Sequence, residues 1–132
     1  MTDPANSKEL VLLVDDDAFL LDMYAMKFKQ CGLPIEAISS PLTALERLRA
    51  GLKPTIVMLD VIMPGLSGFE FLEAVRKEGL APGARVIMLS NQGQQEDIDK
   101  ATALGADGYI IKASAIPSEV CDKALAISRG KK

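Results

Sequence analysis

The segment Leu10-Val11-Leu12-Leu13-Val14-Asp15-Asp16-Asp17 carries the strongest structural signal in the chain, because five apolar residues run directly into three carboxylates. An apolar run of this length is typical of a buried strand. A second run, Ile56-Val57-Met58-Leu59, ends in the same way at Asp60. Negative charge at the ends of buried strands is costly unless something compensates it. We therefore expect these carboxylates to hold a cation or to take part in chemistry.

Size and composition restrict the possible classes of protein. The 132 residues, 48% of them hydrophobic, are enough for one domain with a real core. The net charge of −3 and the lack of a basic stripe predict no direct nucleic-acid partner. The apolar runs are far shorter than the roughly 20 residues of a membrane helix, and the polar N-terminus does not resemble a secretory signal. We expect a cytoplasmic protein without membrane contact.

Strand-like and helix-like segments alternate five times along the chain. The strands are predicted at about Glu9–Val14, Ile35–Ser39, Thr55–Asp60, Arg85–Ser90 and Gly108–Lys112. The helices are predicted at about Ala18–Cys31, Thr43–Ala50, Ser67–Glu78, Glu96–Leu104 and Ser118–Ser128. Residues 8–129 would form one domain, with short tails at residues 1–7 and 130–132.

This alternation predicts right-handed βαβ units and a parallel sheet covered on both faces. Five units suit an α/β, doubly wound (βα)5 fold, a flavodoxin-like five-stranded parallel sheet with strand order 2-1-3-4-5. Strands 1 and 3 are neighbours in that order. Their acidic ends, Asp15 to Asp17 and Asp60, would therefore meet in the crevice where such folds bind ligands.

Two more polar residues are expected to reach this crevice. Ser90 closes strand 4 and Lys112 closes strand 5. Mg²⁺ prefers oxygen ligands, which clustered carboxylates supply, and a carboxylate can accept a phosphoryl group. Lys112 and Ser90 could then neutralise and hydrogen-bond the phosphoryl oxygens, which is most of what phosphoryl transfer requires. A histidine nucleophile, base or metal ligand is excluded, because the chain has no histidine.

The five residues Asp15, Asp16, Asp60, Ser90 and Lys112 resemble the conserved quintet of the response-regulator receiver domain, a CheY-like family of two-component signalling. The run from Asp60 to Gly65, with Gly68 beyond it, is also similar to that family. The resemblance covers about residues 8–128, nearly the whole chain.

The resemblance implies a role for each of these residues. Asp60 would be the phosphoacceptor, and Ser90 and Lys112 would contact the phosphoryl group. Asp16 would bind Mg²⁺ directly and Asp15 would bind it through water, with Asp60 and the backbone carbonyl of Ile62 as further ligands. Ser90 and Tyr109 would act as the switch that responds to phosphorylation.

The implied function is a phosphorylation-dependent switch. A sensor histidine kinase or a His-phosphotransfer protein would be the donor, and an unidentified downstream protein would bind the face formed by helix 4, strand 5 and helix 5. The domain would assist its own phosphorylation and dephosphorylation and would not otherwise be an enzyme. We expect a monomer or weak dimer that acts by docking, since the chain ends just after helix 5.

Two departures from the family leave alternatives open. Many members have a proline in a cis peptide bond where this chain has Ala113, and alanine or glycine where it has Asn91. A pseudo-receiver that binds partners without phosphorylation is therefore one alternative. A Mg²⁺-dependent aspartyl phosphohydrolase is another, although Ile62, two residues after Asp60, cannot transfer protons.

Two further expectations concern single side chains. Cys31 and Cys121 lack metal-ligand or redox spacing and fall in predicted helices, so both are predicted to be buried, unpartnered small hydrophobes. Replacing either Asp15 or Asp16 by alanine is predicted to raise the melting temperature of the metal-free protein, because either change relieves like-charge crowding.

Overall fold

The computed structural model describes residues 9–91, 93–112 and 117–128. Five parallel strands form one sheet in the order β2-β1-β3-β4-β5, as the sequence predicts. The strands are β1 (Val11–Val14), β2 (Ile35–Ile38), β3 (Ile56–Leu59), β4 (Arg85–Ser90) and β5 (Gly108–Ile111). The helices are α1 (Ala18–Gln30), α2 (Pro41–Arg49), α3 (Gly68–Glu78), α4 (Gln95–Ala103) and α5 (Pro117–Ser128).

The register of the central strands places the acidic residues side by side. Val14 of β1 is opposite Leu59 of β3, so the next residue on each strand is Asp15 and Asp60 respectively. The Asp60 backbone N–H donates to the Val14 carbonyl oxygen at 3.1 Å and so continues the ladder by one residue. The predicted meeting of the two acidic strand ends is confirmed.

The core consists of two layers, one on each face of the sheet, because side chains of a strand alternate between faces. Val11 and Leu13 of β1 pack with residues of α1 and α5. Leu12 and Val14 pack with residues of α2, α3 and α4. All four β1 side chains are at most 1% exposed, so the strand cannot shift by one residue without exchanging its two faces.

Polar side chains at the helix starts fix where several helices begin. The Asp17 carboxylate accepts hydrogen bonds from two backbone N–H groups in the first turn of α1. Ser67 and Glu70 form a capping box at the start of α3, which confirms the predicted N-cap at Ser67. Such caps satisfy backbone donors that have no partner inside the helix.

Helix α2 begins two residues earlier than predicted. It starts at Pro41, whereas the sequence analysis placed the start at Thr43. The Ser40 side chain accepts a hydrogen bond from the Thr43 backbone N–H at 3.2 Å. Proline is well suited to the first turn, where its missing N–H would lack a partner anyway. The Ser-Pro pair was the signal for this boundary.

Two predictions about single residues were wrong: the burial of Cys31 and the inclusion of Lys112 in β5. Cys31 is exposed because it lies at the C-terminal cap of α1, past the last helical turn. Cys121 is buried, as predicted. Lys112 follows β5 directly and does not belong to it.

Other predictions fall outside the described residues. These concern the tails at residues 1–7 and 130–132 and the peptide bond between Lys112 and Ala113. Within the described ranges, none of the helices combines the length and the apolar character needed to cross a membrane.

Candidate functional site

Three carboxylates converge at the carboxyl edge of the sheet. One oxygen atom from each of Asp15, Asp16 and Asp60 lies within 4.8 Å of the others. Their environments differ, since Asp15 is 1% exposed, the Asp60 side chain is 14% exposed and Asp16 is exposed. Asp17 lies outside this group and caps α1. The structure therefore separates three possible ligands from a fourth aspartate with a structural role.

Lys112 bridges two of these carboxylates. Its Nζ donates to Asp15 Oδ2 at 2.6 Å and to Asp60 Oδ2 at 3.3 Å. The side chain of Lys112 is only 9% exposed. The second oxygen of Asp15 accepts the backbone N–H of Asp17 at 3.0 Å. Both oxygens of the most buried carboxylate thus have partners, which is what its burial requires.

The electrostatic balance at Asp60 is unfavourable for its charged form. Burial raises the pKa of the Asp60 carboxyl, and the negative charge of Asp15 adds to this effect. Lys112 and the Ile62 backbone lower the pKa without cancelling the increase. A carboxylate held at some cost in its ionised form gains when its charge is shared with a cation or a covalent partner.

The same environment favours the charged form of Lys112. Burial by itself would lower the pKa of the ammonium group, but its contacts with Asp15 and Asp60 outweigh burial and raise the pKa. Lys112 therefore remains a cation wherever the two carboxylates are ionised. The predicted role as an internal counter-charge agrees with this geometry.

Ser90 and Tyr109 lie on the paired strands β4 and β5. Ser90 ends β4 and is 1% exposed. Burial raises the pKa of the Tyr109 hydroxyl, with Asp97 and Asp60 adding to the increase and Ser90 opposing it. The two residues predicted to form the switch therefore lie on paired strands, and Ser90 influences the pKa of the Tyr109 hydroxyl.

Gly68 has a role that the sequence analysis did not explain. A Cβ atom at this position would collide with the backbone carbonyl oxygen of Asp60 and would lie 2.8 Å from Met88 Cε. The Gly68 N–H donates to the Val61 carbonyl oxygen at 2.8 Å. The start of α3 thus packs directly against the backbone of Asp60. A glycine in the first turn of a well-capped helix was the available signal, since glycine there costs helix stability.

The chemistry of this donor set fits a hard divalent cation. Carboxylate oxygens are the preferred ligands of Mg²⁺, which keeps several waters and needs only one or two protein carboxylates. The exposed Asp16 and the partly exposed Asp60 can reach such an ion from the solvent side, while Asp15 is buried. The residues present therefore fit Mg²⁺.

Comparison with known proteins agrees with this arrangement. The family model described as the response regulator receiver domain matches residues 11–123. The chain is 34% identical over 102 residues to the transcriptional regulatory protein CseB of Streptomyces coelicolor. The matched region covers 77% of this chain and 42% of that protein. The chain is also 31% identical over 120 residues to the phosphate regulon transcriptional regulatory protein PhoB of Escherichia coli K12, and this match covers 90% of this chain and 51% of that protein. The chain thus spans about half or less of the length of these curated relatives.

Solved structures show the same fold. The chemotaxis protein CheY4 of Vibrio cholerae superposes with a TM-score of 0.82 at 25% identity, covering 90% of this chain and 98% of that one. A CheY-like receiver domain protein of Methanospirillum hungatei gives a TM-score of 0.83 at 24% identity, and the superposition covers 92% of this chain and 94% of that chain. With the matched family model and the clustered aspartates, these likenesses show that the chain belongs to the response-regulator receiver domain family of two-component signalling.

Proposed function

We propose that this domain is a phosphorylation-dependent switch whose phosphoacceptor is Asp60. The observation that carries the proposal is the position of Lys112 Nζ, 2.6 Å from Asp15 and 3.3 Å from Asp60. A buried cation at this distance can contact an oxygen of a phosphoryl group attached to Asp60. Transfer of a phosphoryl group depends mainly on positioning and on neutralising the charge of its oxygens.

The chain's own residues would act in a defined order. The Asp60 carboxylate attacks the phosphorus atom of the donor, and the bond between phosphorus and the donor breaks as the new P–O bond forms. Lys112 turns from the Asp60 carboxylate to a phosphoryl oxygen and keeps its contact with Asp15. The Ser90 hydroxyl donates to another phosphoryl oxygen.

Mg²⁺ is the proposed cofactor. Asp15, Asp16, Asp60 and the backbone carbonyl of Ile62 would hold it, as the resemblance to the family implies. When bound, it supplies positive charge that neutralises the phosphoryl oxygens during transfer. The exposure of Asp16 supports its assignment as a direct ligand, whereas the ion pair of Asp15 with Lys112 supports a less direct part.

The output of the switch is proposed to be a change at the face of α4, β5 and α5. Ser90 ends β4, which pairs with β5, and Ser90 influences the pKa of the Tyr109 hydroxyl on β5, so a move of Ser90 towards a phosphoryl group would change the surroundings of Tyr109. A ligand shifts such an equilibrium by its different interaction with the two states. Phosphorylation would therefore change the position of Tyr109 and the affinity of this face for a downstream protein.

The donor is proposed to be a sensor histidine kinase or a His-phosphotransfer protein. Membership of a two-component family supports a donor of this class. The curated relatives are named as transcriptional regulators. In this chain we propose a receiver that acts by docking to a protein, and that has no enzyme activity beyond its own phosphorylation and dephosphorylation.

The test is the intact mass of the protein after incubation with acetyl phosphate, with and without Mg²⁺. We expect the wild type to gain one phosphoryl group only when Mg²⁺ is present, and Asp60→Asn to gain none. Asp17→Asn, which changes a neighbouring capping aspartate, is the matched control and should still be phosphorylated. An unmodified wild type that binds Mg²⁺ and remains unmodified by histidine-kinase donors would instead support the pseudo-receiver.

Hydrogen exchange would test the proposed output. Phosphorylation is expected to change amide exchange in α4 and β5 in the wild type but much less in Tyr109→Ala. Equal changes in both proteins would mean that Tyr109 does not take part in the switch.

A further inference from the structure

Helix α1 carries large apolar side chains on two opposite faces. Leu21, Tyr24 and Phe28 face the core and are at most 6% exposed. On the solvent side, Phe19 is 76% exposed and Met26 is 62% exposed. A surface helix normally has a polar outer face, so the solvent side of α1 has the composition of a surface that another molecule covers.

The outer side chains of α1 line a groove with a volume of about 500 Å³. The residues that line it recur every three or four positions, which is the spacing of one helix face. Its described lining residues, which we call the α1 face, are Phe19, Asp22, Met23, Met26, Lys27 and Gln30.

The order of residues on the α1 face is self-complementary. The six residues form three pairs, and the midpoint of each pair falls between Tyr24 and Ala25. The pairs are Met23 with Met26, Asp22 with Lys27, and Phe19 with Gln30. If a second α1 lies antiparallel to the first, with a two-fold axis at this midpoint, each residue lies opposite its pair member on the other copy.

The three pairs are also chemically compatible. Met23 would contact Met26 of the second copy nearest the axis, where an apolar centre is expected. Asp22 would lie opposite Lys27 of the second copy, and symmetry repeats this pair of opposite charges on the other side of the axis. The outer pair joins an aromatic ring to a glutamine. This arrangement has the apolar centre and polar rim of a protein–protein interface.

The charges along α1 favour an antiparallel partner over a parallel one. The helix begins at the Asp17 cap and has Lys27 and Lys29 in its last turn. In a parallel pair, Asp22 would lie opposite Asp22 of the second copy, and like charges repel each other. In an antiparallel pair, the acidic half of each helix lies opposite the basic half of the other.

We propose that the α1 face is a homodimer interface, in which α1 of a second copy packs antiparallel about a two-fold axis between Tyr24 and Ala25. The helix has 13 residues and is therefore about 20 Å long. A contact of this length is at the small end of protein interfaces, so the dimer is weak. The interface uses no residue of the phosphoryl site and does not depend on phosphorylation of Asp60.

Sedimentation equilibrium of the unphosphorylated full chain in EDTA tests the proposal, at concentrations from micromolar to millimolar. We expect a monomer–dimer equilibrium. Met26→Gln should weaken dimerisation by about tenfold, because it places a polar amide in both halves of the apolar centre. The matched control is Leu42→Gln, which removes an exposed apolar side chain from α2 and should leave dimerisation unchanged.

Exchange of charges tests the antiparallel geometry. Asp22→Lys and Lys27→Asp each place like charges opposite one another twice, and each should weaken dimerisation by about tenfold or more. An equimolar mixture of these two variants should dimerise as the wild type does, because every lysine then lies opposite an aspartate in the heterodimer. Glu73→Lys makes the same change in charge at an exposed position of α3 and should dimerise normally.

Three results would overturn the proposal. A chain that stays monomeric at millimolar concentration would leave the α1 face to a partner of different sequence. A dimer that is insensitive to Met26→Gln and to both charge variants would use another surface. A mixture that dimerises no better than either charge variant alone would exclude the antiparallel pairing. Circular dichroism checks that each variant is folded, as we expect because none of the substituted side chains is buried.

Discussion

Lys112 is the residue on which the stability of the acidic cluster depends most directly. Removing one partner of a buried ion pair leaves an uncompensated charge and typically costs about 3–5 kcal/mol. We expect Lys112→Met to lower the free energy of unfolding at pH 7 by about 3 kcal/mol, because Asp15 and Asp60 would remain without a cation. Urea denaturation measures this, with the exposed Lys53→Met as control. A loss no larger than that of Lys53→Met would contradict it.

Asp15 and Asp16 should respond differently to replacement, although the sequence predicted the same result for both. Asp15 is buried and holds Lys112 at 2.6 Å, so we now expect Asp15→Ala to lower stability by about 1–3 kcal/mol. Asp16 is exposed, and Asp16→Ala should change stability by less than about 0.5 kcal/mol or raise it slightly. Thermal unfolding in EDTA compares the two. Equal increases in melting temperature would favour the original expectation.

The raised pKa of Asp60 has a definite consequence for stability as a function of pH. A raised pKa means that the folded protein binds this proton more tightly than the unfolded chain does. The resulting stabilisation is complete below the ordinary pKa of 3.8 and is lost as the pH rises through the higher folded pKa. The stability of Asp60→Asn relative to the wild type should therefore increase from about pH 4 towards neutrality. Urea titrations in EDTA measure this, and a constant difference across that range would contradict it.

Among the elements, the start of α3 is the one most closely coupled to the phosphoacceptor. Gly68→Ala would place a methyl group against the Asp60 carbonyl oxygen, and overpacking of this kind costs about 1–3 kcal/mol. We expect lower stability by about 2 kcal/mol and slower phosphorylation by acetyl phosphate. The change is diagnostic because alanine would normally stabilise a helix.

The matched control is Gly79→Ala at the opposite end of the same helix. Gly79 has a φ of 67°, and a Cβ atom added there would have no neighbour within 4 Å, so alanine at this position is strained but meets no other residue. It should lose stability and keep a normal phosphorylation rate. Equal rates for both variants would show that the contact of Gly68 with Asp60 has no effect on the site.

Element type and order could be predicted from the sequence, while several boundaries could not. The apolar runs ending at Asp15 and Asp60 are long enough to specify buried strands, and the Ser67 cap marks the start of α3. The start of α2 was predicted at Thr43, but Ser40 provides the cap and the helix begins at Pro41. Cap geometry depends on a few local hydrogen bonds, which periodicity does not report.

At the scale of the whole molecule, strand order accounts for most of what the sequence could say about the site. Once β1 and β3 are neighbours, Asp15 and Asp60 must lie side by side. The preference of Lys112 for Asp15 over Asp60 could not be predicted in this way. It depends on side-chain positions and on packing between elements that are distant in the sequence.

Locating the phosphoryl group on the folded chain would identify the phosphoacceptor. The protein would be treated with acetyl phosphate and Mg²⁺ and reduced with borohydride, which converts an aspartyl phosphate to homoserine, and its peptides would be identified by mass. We expect homoserine at position 60 and unmodified Asp15, Asp16 and Asp17. Conversion at another aspartate, or none at position 60 while Mg²⁺ binding is confirmed, would contradict it.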